Sequence, residues 1–212
     1  MEDKEERSAF LSALTTEHFV LQTAASATVS ESAARASIYI LALSSSLVAM
    51  GFAVQSPEAF APFVASILPA VFLLGLFTVI RLVDVTLEYQ HCLRGIAHIR
   101  GYYRTLGPEG ADYFAAERGR WPEARSTPPL QLGATIGFLT TTATMVAFIN
   151  TFVAGAGITL LSRHLLGAQT LVALLAGVGT ALVLVAVFFA YQKWRFRLAE
   201  PAAPATLPAR HP

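Results

Sequence analysis

Apolar positions along this chain gather into four long blocks, separated by stretches of a different periodicity. The blocks run from about Ala36 to Val54, Phe60 to Val83, Leu130 to Val153 and Leu165 to Phe189. A helix needs roughly 20 mostly apolar residues to cross a bilayer core of about 30 Å. Each block meets that length, and four of them exceed what a soluble domain of this size could bury. Pro57 and Pro62 bracket the turn between the first two, and Ser56-Pro57-Glu58 suits the start of a helix. Pro69 lies inside the second block, where it predicts a kink.

Outside the blocks the period changes without ceasing to be helical. Leu11, Leu14, His18, Leu21, Ala25, Thr28 and Ser32 recur at alternating steps of three and four ahead of the first block. Val85, Tyr89, Cys92, Ile96, Ile99 and Tyr103 do the same after the second. Both are heptad seams. Small residues in one oppose large residues in the other, which predicts an antiparallel helix pair with a seam through Leu14, His18, Leu21, Tyr89, Ile96 and Ile99. The other reading of these arms is two amphipathic helices lying on the membrane surface. Gly107-Pro108 ends the second arm. The stretch to Pro129 is rich in Gly and Pro and reads as a connector, with one short helical turn at 112–118. The Pro- and Ala-rich end from Pro201 to Pro212 is expected to be disordered.

Charge sets the orientation. Fourteen of the fifteen Lys and Arg residues flank the first block on its N-terminal side, lie in the central connection, or follow the fourth block; Arg163 alone falls on the other side. The positive-inside rule places both termini and the central connection in the cytoplasm. The opening residues Met1–Arg7 are acidic and polar and lack the features of a secretory leader, so the first block is expected to act as its own insertion signal. A net charge of +1 gives no argument for a nucleic-acid partner, and the single Cys92 allows no disulfide within the chain.

The fold expected is therefore an all-α membrane protein with four transmembrane helices in two hairpins and an antiparallel two-helix cytoplasmic stalk. Its segments are 8–35, an N-terminal cytoplasmic helix; 36–83, a first hairpin; 84–129, a helix extension and connector; 130–189, a second hairpin; and 190–212, a basic tail.

Polar residues suggest few sites. Glu31, Arg35, Arg81, Asp84 and Glu88 fall at one depth, near the inner end of the first hairpin, and are expected to form a structural ion-pair cluster, with Arg81–Asp84 as an i,i+3 pair. Glu88-x-x-His91 has the spacing of a di-metal carboxylate motif, with His18 as a further ligand in a metal-dependent reading; no second such motif supports it. Hydroxyls at Ser44–Ser46 and from Thr135 to Thr151 suggest either close packing or the lining of an oligomeric channel. No block carries an acidic or basic residue at mid-depth, which speaks against proton- or ion-driven transport. No phosphate loop, nucleophile elbow or zinc-protease motif occurs. No enzymatic activity, cofactor or resident metal is expected.

The stretch Glu17-His18-Phe19-Val20-Leu21-Gln22-Thr23, with Ile99-Arg100-Gly101-Tyr102-Tyr103 after the second block, resembles four-span integral membrane proteins of bacteria whose roles are uncharacterised. That resemblance covers the first half of the chain and implies a bacterial plasma membrane, but no activity. Function is expected to lie in association: the lipid bilayer around the spans, and a protein partner or second copy on the stalk.

Overall fold

The computed structural model describes residues 2–114 and 139–199. Within them the chain is helical and contains no strand. Five helices follow in order: α1 (Glu2–Ala53), α2 (Pro57–Tyr103), α3 (Pro108–Tyr113), α4 (Thr142–Leu166) and α5 (Thr170–Leu198). Four of them, all except α3, are long and apolar enough to cross a membrane.

No break separates arm from apolar block in either of the first two helices. α1 is 52 residues long and α2 is 47, which at 1.5 Å per residue makes them about 78 and 70 Å. Each is more than twice the thickness of a bilayer core. The turn between them follows the expected signals. Ser56 is the N-cap of α2 and Pro57 its first residue, although the Ser56 side chain makes no capping bond. Helix α2 continues through both Pro62 and Pro69.

Of the third apolar block expected at 130–153, 130–138 lies outside the described residues; Leu139 is helical, and a further helix, α4, runs from Thr142 to Leu166. A cap lies inside the apolar run. Thr141 takes an extended conformation and its hydroxyl accepts from the Thr144 N–H, which starts a new helix there. A hydropathy average cannot register a cap. At the other end Gly167 adopts a left-handed φ of 61°, and the N–H of the next residue, Ala168, donates to the Ser162 carbonyl at 3.1 Å. Leu165 and Leu166 thus belong to α4, and α5 starts at Thr170 rather than 165 and continues past Phe189 to Leu198. Of the short turn expected at 112–118, Asp112 and Tyr113 end α3 and Phe114 is its C-cap; 115–118 lies outside the described residues, as does the chain from 200 onward.

Strong packing joins the long helices in succession, α1 with α2, α2 with α4, and α4 with α5, while α1 meets α4 only slightly. Tyr39, Leu43, Val71, Val79, Leu82, Val83, Val146 and Ala147 form the buried core shared by α1, α2 and α4. Pairing of α1 with α2 can be followed by contacts in which one number falls as the other rises. Tyr39 meets Gly75, Glu31 meets Arg81, Leu21 meets Gly95, and the Phe10 and Tyr102 rings sit edge to face at 5.2 Å.

Candidate functional site

Polar side chains collect at three levels along α1 and α2. The middle level contains the five charged residues singled out above. Glu31 is its hub. Arg81 reaches across from α2 with two nitrogens, Nε to Oε1 at 2.9 Å and Nη2 to Oε2 at 3.1 Å, and Arg35 donates to Glu31 Oε1 from one turn along α1 at 2.7 Å. The third nitrogen of Arg81 donates to Glu88 at 3.0 Å. A planar guanidinium with a fork of donors suits this bridging better than an ammonium. The two guanidinium groups hold the Glu31 carboxyl well below its ordinary value of 4.5, at about 2.

Asp84 is not part of this network. The i,i+3 pair with Arg81 expected from spacing does not form, because the Arg81 side chain is already spent on Glu31 and Glu88. Asp84 instead pairs with Arg195 of α5. Sequence reasoning missed Arg195, whose signal was its place in the basic run after the fourth block. A second tie joins the same helices, since Arg94 donates to the Ala199 carbonyl at 3.0 Å. Arg94 therefore ties the end of α5 to α2.

Below this level lie the arms. Val85, Cys92 and Ile99 are buried, and Leu14, His18, Leu21, Tyr89 and Ile96 are half-buried. Leu21 lies over Gly95, where an added Cβ would come within 2.8 Å of Leu21 Cδ1. Burial pushes the Cys92 thiol up, so it is a poor nucleophile. His18 places Nδ1 in a buried position without a hydrogen-bond partner among the described residues. His91 and His98 are exposed. No group of three or more metal-ligating side chains is found among the described residues, and Glu88 is engaged by Arg81.

Above the charged level is a polar contact that the sequence analysis did not single out. Asn150 lies in the third turn of α4 and is buried. Its amide oxygen accepts from the Tyr39 hydroxyl at 3.2 Å and its Nδ2 donates to the Phe72 carbonyl at 3.1 Å. One side chain thus ties α4 to both α1 and α2. Gly75 makes room for it, since a Cβ there would strike Asn150 and come within 2.8 Å of the Tyr39 ring. A tyrosine and an asparagine inside apolar blocks were the available signal.

Of the hydroxyls offered as a channel lining, Ser45, Ser46 and Thr151 donate to carbonyls of their own helices, and Thr141 caps α4. Thr135 lies outside the described residues. Taken together the site is a ladder of ties between helices rather than an arrangement with a reactive group facing a cavity. No family model, curated protein or solved structure matches this chain.

Proposed function

We propose that this chain is a multi-pass protein of a bacterial plasma membrane that acts by association, through a cytoplasmic stalk made of the arms of α1 and α2. One observation carries the reading: two uninterrupted helices more than twice as long as a bilayer is thick, in contact from Tyr39–Gly75 to Phe10–Tyr102. Such helices extend well beyond any membrane that holds their apolar halves. An arm continuous with its span cannot turn to lie on the bilayer surface without a break, and neither helix has one there. The charged level at Glu31 and Arg81 then sits where the helices leave the lipid, which is where ionisable groups can be hydrated. Both termini are cytoplasmic by the distribution of Lys and Arg.

The stalk is tested by Leu21→Asp and Ile96→Asp in native membranes. Each buries a charge in the seam, which is costly without a partner. New protease cuts are expected between Glu5 and Arg35 or between Arg94 and Arg104, with the spans intact. Resistance equal to that of the parent chain would overturn the stalk. Association itself is read from the mass of the complex extracted from membranes. Crosslinking through Cys92 is unsuited to that purpose, because Cys92 is buried in the seam.

A further inference from the structure

The outer side of α5 ends on cations that the chain itself does not use. Lys193, Trp194 and Arg197 fall within about one third of the helix circumference, and all three are exposed. Their face continues upward through Leu175, Leu182 and Val183, which are exposed and apolar. Gln192 and Arg195 take the opposite side: Gln192 is buried, and Arg195 pairs with Asp84. That pair fixes the depth of the group at the charged level. The other cations there are engaged by the chain, Arg35 and Arg81 by Glu31 and Arg94 by the Ala199 carbonyl. Lys193 and Arg197 make no ion pair or hydrogen bond among the described residues, and neither does the Trp194 indole N–H. Helices α4 and α5 contain no Asp or Glu that could serve them.

We infer that this face binds the headgroup of an anionic lipid in the cytoplasmic leaflet, its phosphate held between Lys193 and Arg197 and against the Trp194 N–H. This rests on the membrane reading above and names the class of lipid. Two properties of the face select that occupant. The first is depth. A helix side turned to acyl chains from Leu175 to Val183 meets the headgroup layer, and not bulk water, where it reaches the charged level. An acidic peptide would carry the same charge but would have to displace lipid from that side. The second is chemistry. Two cations without a carboxylate call for an anion from outside the chain. The arginine fork suits a pair of phosphate oxygens, and lysine adds a compact charge beside it. Indole settles at headgroup depth with its ring on the apolar side, and its N–H, a donor only, is completed by an acceptor such as phosphate. Each cation close to an anionic surface strengthens association roughly five-fold.

The test uses the full chain carrying Trp121→Phe, which leaves Trp194 as its single tryptophan. It is reconstituted in vesicles of phosphatidylcholine and phosphatidylglycerol, with one lipid or the other brominated on its acyl chains. Brominated phosphatidylglycerol should quench Trp194 fluorescence several-fold more than brominated phosphatidylcholine at the same mole fraction. Lys193→Gln and Arg197→Gln together should bring the two lipids to equality. Lys193→Arg should keep the preference, as should Arg163→Gln at the opposite end of the spans. A preference that survives in the double variant, or equal quenching in the parent, would overturn the inference. Inorganic phosphate at constant ionic strength should leave the preference intact; if phosphate removes it, the site takes a free anion and the lipid is rejected. The phosphatidylcholine signal separates two failures. Quenching without preference rejects the headgroup site and leaves the membrane reading standing. No quenching by either lipid rejects both.

Discussion

Two helix pairs in this molecule solve the same problem with opposite means. Along the arms α1 and α2 are held by side chains: Leu21 fills the space over Gly95, Phe10 meets Tyr102, and Arg81 grips Glu31 through two nitrogens. Between α4 and α5 the backbones themselves touch. A Cβ on Gly155 would come within 2.8 Å of the Gly177 carbonyl oxygen, and one on Gly177 would strike Thr159 and Gly155. On the topology proposed above, with the arms in water and α4 and α5 in lipid, the solvent accounts for the contrast. In water, burying a large side chain is favourable in itself. In lipid, tails are as apolar as leucine, so helices gain only by packing closely and by satisfying polar groups. The difference also predicts which changes each pair tolerates.

The largest effect is expected at the glycine crossing. Gly177→Leu forces α4 and α5 apart, because the new atoms meet backbone and not a flexible side chain; overpacking of this kind costs about 3 kcal/mol or more. Loss of thermal stability in detergent should far exceed that of Gly179→Leu, whose Cβ position is open. Equal loss at the two glycines would show that no such crossing exists.

Next comes the Asn150 tie. Asn150→Leu conserves volume while removing both bonds, and it leaves the fully buried Tyr39 hydroxyl without its partner. The expected cost is about 1–3 kcal/mol. Tyr39→Phe in the same background should recover part of it, since the orphaned hydroxyl is then gone. A double mutant as unstable as the sum of the two single changes would show the contact to be idle.

The charged level should respond less, and selectively. A double-mutant cycle on Glu31→Gln and Arg81→Gln is expected to show coupling, whereas Arg81→Gln and Asp84→Asn should be closer to additive. The reverse result would restore the i,i+3 pairing that spacing alone suggested.

The smallest effect is on pH. Glu31 is held below its ordinary value, so its contribution to the α1–α2 contact is complete above about 4.5 and fades as pH falls toward about 2. Protease resistance of the arms should therefore be flat from neutral pH to the upper limit of that window and decline within it, less so in Glu31→Gln. A decline already present at pH 6 would point to another group.

The sequence by itself determined the class of the molecule and the period of each helix. Runs of twenty apolar residues, heptad steps at Leu11–Ser32 and Val85–Tyr103, and punctuation at Ser56-Pro57 and Gly107-Pro108 are local properties, legible without knowing what lies across from them. The tertiary structure decided the partners. It gave Asp84 to Arg195 and not to Arg81, placed Asn150 between Tyr39 and the Phe72 carbonyl, and set a cap at Thr141 inside the third apolar run. Ion pairs and buried amides are chosen by which helices lie side by side and in what register, over separations of 111 residues for both Asp84–Arg195 and Tyr39–Asn150. Hydropathy and spacing report how one helix meets its surroundings; only packing reports which group is close enough to satisfy another.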